Sequence, residues 1–199
     1  VAGADDQSLP AGEVGEVLVR GDTVMAGYWD NPAASAETLR GGWLHTGDVG
    51  EIDADGDIRI TDRKKDLIVV SGGDNVSPAR IEGLLTLRPE IAQAMVWGDG
   101  RSHLVALLVP NADWLRTWAR DAGKPFDLPA LSADPALLRA LSAPVEEVNR
   151  NLSVVERIRR FAVVPEPFPI ENGRMTPTLK IRRHAIAAAY GGRLRALYD

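Results

Sequence analysis

Thr61-Asp62-Arg63-Lys64-Lys65-Asp66-Leu67-Ile68-Val69-Val70-Ser71-Gly72-Gly73 is the stretch at which the chain changes character. Residues 62–66 are all charged and offer nothing to a core, whereas 67–70 read as a buried strand and 71–75 as a turn. Upstream the pattern is strand and loop. Residues 16–20 read as a short strand and 21–42 as a loop with about one helical turn. A hairpin follows: 49–52 lead in, Asp55-Gly56 turns, and Ile58 and Ile60 alternate with Asp57, Arg59 and Thr61. Downstream, strands and helices mix. Ser77 and Pro78 open a helix with the apolar stripe Ile81, Leu84 and Leu85, and strands are predicted at 94–97 and 104–109. Asn111 caps a helix carrying Trp114, Leu115 and Trp118, which Gly123 closes. Asp134-Pro135 opens a longer helix, 159–164 read as a strand, and 178–190 read as a last helix stopped by Gly191-Gly192.

The domain boundary is therefore placed in the charged run, giving segments 1–63 and 64–199. The first is too short and too rich in loops to bury a core unaided, so it is expected to be part of a larger β-rich domain. The second is long enough to be a complete small domain. The expected class is α+β, a β-rich segment followed by a compact α+β domain. The chain opens at Val1 in a polar, loop-like stretch without an initiator Met, and reads as a cut through a longer protein.

Bulk properties narrow the function classes. A 45% hydrophobic and 26% charged composition is that of a folded domain rather than a disordered or membrane-spanning chain. A net charge of -5 argues against a general nucleic-acid binder, and no nucleic-acid partner is expected. The charge is uneven: residues 150–199 hold ten Arg and Lys against four Asp and Glu, while 1–149 hold 13 against 24. Such a basic end can meet an anion, although a solvated basic face is the commoner outcome. The absence of cysteine excludes disulfides and thiolate chemistry. With no secretion signal in the sequence, a cytoplasmic location is expected.

Several common sites are missing. Neither a Gly-x-x-x-x-Gly-Lys-Ser/Thr loop nor a Gly-x-Gly-x-x-Gly run is present. Asp53, Asp55 and Asp57 imitate the start of a calcium loop, but Ile58 stands where its Gly belongs and Lys64 where its Glu belongs. Those carboxylates read as hairpin-turn residues. His45, His103 and His184 lack metal-ligand spacing, so no metal site is assigned.

Four stretches are specific when taken together. They are Gly15-Glu16-Val17-Leu18-Val19-Arg20-Gly21 with Gly27-Tyr28; Gly42-Trp43-Leu44-His45-Thr46-Gly47-Asp48; the charged run through Gly73; and Glu171-Asn172-Gly173 followed by Thr176-Pro177-Thr178-Leu179-Lys180. In this order they resemble the second half of the adenylate-forming superfamily, which includes acyl-CoA synthetases, peptide-synthetase adenylation domains and beetle luciferases. The Thr-Pro-Thr-Leu-Lys ending and Met95-Val96-Trp97-Gly98-Asp99-Gly100 are most similar to the long-chain fatty acid–CoA ligase branch.

The resemblance implies that 1–63 end the N-terminal adenylation domain and that 64–199 form its mobile C-terminal lid. It implies an enzyme that uses ATP with Mg²⁺ to turn a fatty acid into acyl-AMP, then passes the acyl group to CoA. The partners would be the fatty acid and the rest of the same protein, whose triphosphate cradle, Mg²⁺ site and acyl pocket are not in this stretch. The intact enzyme has room for peripheral membrane association.

Residue by residue, the resemblance makes Asp48 the ligand of the ribose hydroxyls, which suits an acceptor-only carboxylate; alone it would read as a turn Asp. Arg63 would contact the same ribose; alone it would read as a surface ion pair with Asp62 or Asp66. Lys65 matches the hinge position. Gly72 and Gly73 would let the pantetheine arm of CoA pass close to the backbone, where otherwise they make a plain tight turn. Lys180 would be catalytic: carried at the start of the last helix by a loop that can move, its ammonium would orient the acid and offset charge at the α-phosphorus. Without the neighbouring motifs a solvated surface lysine is the better reading. Three alternatives stay open: an acyl-AMP ligase that delivers to a carrier protein, a non-catalytic module binding nucleotide or CoA, and a generic domain with fortuitous motifs. The coding sequence upstream of Val1 separates the module, since only the enzyme requires a Pro-Lys phosphate loop there.

Overall fold

The structure, a computed structural model, describes residues 1–3 and 5–199. The chain forms two compact units, Val1–Leu67 and Ile68–Asp199, and both mix helix with strand as the α+β reading requires.

In the first unit, β1 (Gly15–Val19), α1 (Pro32–Thr38), β2 (Leu39–Arg40), β3 (Trp43–Ile52) and β4 (Ile58–Arg63) follow in order. The long β3 pairs antiparallel with β1, β2 and β4. The β3–β4 hairpin forms at Asp55-Gly56 for local reasons. Gly56 takes φ +90°, and the Asp53 carboxylate accepts the Asp55 and Asp57 N–H groups at 3.0 Å each. These Asp residues are therefore turn formers. Few side chains are buried in this unit, and Trp29, Ile58 and Ile60 stand exposed.

In the second unit, β5 (Ile68–Val69) and β6 (Asn75–Val76) make a short ribbon. Then come α2 (Pro78–Thr86), β7 (Ile91–Trp97), β8 (Leu104–Pro110), α3 (Ala112–Asp121), α4 (Leu128–Leu131), α5 (Pro135–Arg150), β9 (Ile158–Val163) and α6 (Arg183–Ala196). Caps announce three of the helices. Ser77 accepts from the Arg80 N–H, Asn111 from Asp113 and Trp114, and Asp134 from Ala136 and Leu137. The sheet runs β7-β8-β9, with β8 antiparallel to β7 and parallel to β9. Every residue of β8 is buried because both faces are covered. Leu104, Ala106 and Leu108 pack with Ile81, Leu115, Leu137 and Leu141 from the helices of one face. Val105, Leu107 and Val109 pack with Phe168, Ile186, Tyr190 and Leu194 on the other.

The end of the chain departs from its sequence reading. The last helix begins at Arg183 rather than at 178; its helical backbone breaks at Tyr190 (φ -115°, ψ 17°), beside Gly191-Gly192, and a further helical stretch runs on to Ala196. Leu194 of that further stretch is buried in the second cluster.

Glu82 of α2 and Arg183 of α6 meet around the edge of the sheet. Arg183 Nη1 lies 2.5 Å from Glu82 Oε1 and donates to the Val96 carbonyl at 3.2 Å, while the Val96 N–H donates to Glu82 Oε1 at 2.7 Å. On edge strand β7 the backbone groups of Val96 are thus occupied, and helices from both faces are tied together. Glu82→Ala leaves this guanidinium without its carboxylate and should lower stability by about 3–5 kcal/mol. Urea unfolding of the variant chain checks this; a loss below about 1 kcal/mol would show the pair to be dispensable.

Candidate functional site

Strand pairing puts Asp48 opposite Arg63 on β3 and β4. Their side chains meet, with Arg63 Nε 2.6 Å from Asp48 Oδ1, and stay reachable at 56% and 31% exposure. Arg63 is therefore an ion-pair partner of Asp48, and its backbone N–H bonds the Asp62 carboxylate at 2.7 Å. An exposed pair of this kind adds at most about 1 kcal/mol to stability. Chemically it offers an acceptor and a fork of donors side by side, the combination a vicinal diol can bind.

The backbone beneath Asp48 is irregular. The β1–β3 register shifts between Glu16 and Leu18, and Gly47 takes φ +70°, a left-handed conformation that suits glycine. Thr46 Oγ1 donates to the Val17 carbonyl at 2.7 Å and accepts the Asp48 N–H at 3.0 Å. The Gly47 N–H donates to Glu16 Oε1 at 3.1 Å. Glu16 is only 8% exposed. Its Oε2 accepts from Lys64 Nζ at 2.8 Å and lies 3.2 Å from His45 Nδ1. That same nitrogen is 2.8 Å from Arg40 Nη2, so the imidazole tautomer decides which neighbour it serves. Burial pushes the Glu16 carboxyl up, but the bonds from Lys64, His45 and the Gly47 N–H together outweigh it and hold the group below the usual glutamate range. Sequence reading quoted Glu16 within a motif and gave it no task; a charged residue inside a short apolar strand was the available signal.

Lys65 lies exposed in a single 3-10 turn, Lys64–Asp66. In the second unit, Gly72 and Gly73 form the turn between β5 and β6. Gly73 takes φ +90° and bonds its N–H to the Val70 carbonyl at 2.8 Å. The Ser71 N–H bonds to Arg101 and the Gly100 N–H to Val69, so this turn rests against the β7–β8 connection. A Cβ on Gly73 would meet nothing within 4 Å, so its backbone is open to a ligand.

Lys180 is not on the last helix. It ends a tight turn three residues before it, closed by the Leu179 N–H to Thr176 O (2.9 Å) and the Thr176 N–H to Lys180 O (2.8 Å). Thr176 Oγ1 accepts the Lys180 N–H at 3.0 Å, and Leu179 takes φ +60°, a strained value for leucine. The ammonium is exposed and has no hydrogen bond or ion pair among the described residues. The stretch before it makes several bonds within the second unit. Gln93 bonds both the N–H and the carbonyl of Phe168, and Arg174 bonds Glu166 at 2.6 Å and Tyr190 at 3.2 Å. Arg174 thereby holds the Glu166 carboxyl below its ordinary range. These bonds join the stretch before Lys180 to the rest of the second unit.

Residues 65–199 match the family described as AMP-binding enzyme C-terminal domain. The chain belongs to that family. It is 45% identical over 94% of its length to FadD11 of Mycobacterium tuberculosis, named as a fatty-acid–CoA ligase, and covers 33% of that protein. It is 38% identical over 96% of its length to the long-chain-fatty-acid–CoA ligase FadD15 of the same species, covering 32%. The chain thus spans about a third of the length of these relatives. Among solved structures, the A-PCP didomain of a carboxylic acid reductase from Segniliparus rugosus, in complex with AMP, aligns with all of this chain. The TM-score is 0.75, the identity 29%, and 26% of that chain is covered. The anthranilate CoA ligase AuaEII, in complex with anthranoyl-AMP, aligns at TM-score 0.65 and 29% identity over 94% of this chain and 32% of its own.

No group of three or more His, Cys, Asp or Glu side chains that could hold a metal ion occurs among the described residues. No described helix is long and apolar enough to cross a membrane.

Proposed function

We propose that this chain is the C-terminal third of a fatty acid–CoA ligase, which activates a fatty acid with ATP and transfers it to CoA. The likeness to fatty-acid–CoA ligases over 94–96% of the chain carries the reading. The fatty carboxylate attacks the α-phosphorus of ATP, forming the acyl–phosphate bond and releasing pyrophosphate. The CoA thiolate then attacks the acyl carbon and AMP leaves. Asp48 accepts from the ribose hydroxyls and Arg63 donates beside it. The ammonium of Lys180, uncommitted to any protein partner, orients the acid and offsets charge at phosphorus. The turn at Gly72-Gly73 gives the pantetheine arm a path along bare backbone. Residues 64–199 turn about Lys65 between the two steps.

Delivery to a carrier protein is the second reading, favoured by the fit to an adenylation–carrier didomain. Identity ranks CoA first: 38–45% to CoA ligases against 29% to that didomain. The deciding experiment is fatty-acid-dependent ATP–pyrophosphate exchange and AMP release by the full-length protein, with CoA or a phosphopantetheinylated carrier protein as acceptor. Exchange, with AMP release stimulated by CoA, is the expected result. Release driven only by the carrier protein selects the second reading, and no exchange removes both. The 199-residue chain alone should show no exchange, since two ribose-holding side chains do not replace a triphosphate cradle. Clear exchange by the pure chain would overturn the division of labour.

A further inference from the structure

We propose that Glu16 is a positioning residue for the nucleotide: one buried carboxylate that sets the Asp48–Arg63 pair by gripping the chain neighbour of each member. The inference rests on the reading of Asp48 and Arg63 as the ribose-holding pair. Gly47 precedes Asp48, and its N–H donates to Glu16 Oε1 at 3.1 Å. Lys64 follows Arg63, and its ammonium donates to Glu16 Oε2 at 2.8 Å. The two oxygens of one side chain thus fix both strands at the point where the 2.6 Å Asp48–Arg63 contact forms.

The need for such a group follows from the backbone. The register break between Glu16 and Leu18 deprives this part of β3 of regular ladder partners on the β1 side. Thr46 Oγ1 and the Glu16 carboxylate take up the Asp48 and Gly47 N–H groups instead. Gly47 at φ +70° gives this bend little side-chain constraint of its own. A carboxylate that is 8% exposed is costly to bury unless fully bonded, and here Gly47, Lys64 and His45 all face it. An apolar residue would fill the space more cheaply yet could hold neither the Gly47 N–H nor Lys64. The arrangement therefore serves the geometry of the pair rather than stability alone.

The test uses the full-length protein and compares Glu16→Ala, Glu16→Gln and Asp48→Ala. The ribose is remote from the bond being made, so weakened ribose binding reads out in KM for ATP with kcat little changed. Asp48→Ala and Glu16→Ala should each raise KM for ATP on the order of tenfold, leaving KM for fatty acid and for CoA unchanged. Glu16→Gln keeps an acceptor for Gly47 but loses its charged bond to Lys64, and should lie between wild type and Glu16→Ala. Melting temperatures establish that each variant is folded. If Glu16→Ala does not fold, Glu16→Gln alone decides: a KM for ATP raised severalfold supports the role. The proposal is overturned if the folded Glu16 variants keep KM for ATP within about twofold of wild type while Asp48→Ala raises it. It is also overturned if KM rises alike for ATP, acid and CoA, the mark of a general structural defect. An unchanged KM in Asp48→Ala rejects the ribose reading first and this inference with it.

Discussion

Lys180→Ala in the full-length protein should lower fatty-acid-dependent ATP–pyrophosphate exchange about a hundredfold or more, the usual scale for removing a preorganised stabiliser of transition-state charge. The structure makes this variant clean. The turn carrying Lys180 is closed by its own backbone, by Thr176 and by the bond from the Arg182 N–H to the Arg174 carbonyl. None of these bonds uses the ammonium, so alanine removes the charge and leaves the turn standing. Thioester formation from supplied acyl-adenylate and CoA should largely survive, because the proposed role of Lys180 ends once pyrophosphate has left. The two half-reactions are measured separately, alongside the melting temperature. Equal loss of both in a folded variant would remove Lys180 from the adenylation step.

What the sequence discloses about this chain is mostly what its neighbours in sequence decide. The Asp55-Gly56 hairpin and the caps at Ser77, Asn111 and Asp134 are local hydrogen-bond solutions, and each forms as its residues suggest. The end of the chain is less legible. The Thr176–Lys180 turn holds a leucine at φ +60°, a conformation no sequence pattern points to, and its presence delays the last helix to Arg183. The helix then breaks at Tyr190, beside the two glycines, and a further stretch beyond them buries Leu194 against the sheet. Within the candidate site, Asp48 and Arg63 lie in motifs, but their direct contact depends on strand register. Glu16 was hidden for the same reason: its partners His45 and Lys64 lie 29 and 48 residues away.

The bonds around the Lys180 turn bear on the proposed mechanism. Gln93, Arg174 and the Glu82–Arg183 pair bind the stretch around it to the sheet and to α6. The ammonium itself takes part in none of these bonds. If Lys180 serves only the first half-reaction and these bonds persist throughout, the whole unit carries it in and out, which places the demand for motion on the connection near Lys65.

Lys65→Pro should therefore separate the two half-reactions in the full-length protein. The division between the compact units falls between Leu67 and Ile68, just past Lys65. Lys65 sits exposed in the 3-10 turn Lys64–Asp66, which has no side-chain cap, and its own side chain has no partner among the described residues. Its backbone is thus lightly held, while Lys64 beside it is anchored to Glu16. Proline fixes φ near -65° at residue 65, removes its N–H, and drives the preceding residue away from helical dihedrals. Lys64 is helical in the present turn, so the substitution disfavours this arrangement and restricts the dihedrals that a rotation must use. The expected result is one half-reaction retained and the other reduced by an order of magnitude or more, as when a site is assembled in only one of its two geometries. Exchange that persists while acyl-CoA output collapses marks a trap in the adenylating orientation, and the reverse marks the other. Lys65→Ala, which loses the charge but keeps the dihedrals free, should run both halves within a few-fold of wild type. Rates of both half-reactions for both variants, with melting temperatures, make the measurement. A folded Lys65→Pro protein that runs both halves at wild-type rates would show that the turning point lies elsewhere in the chain.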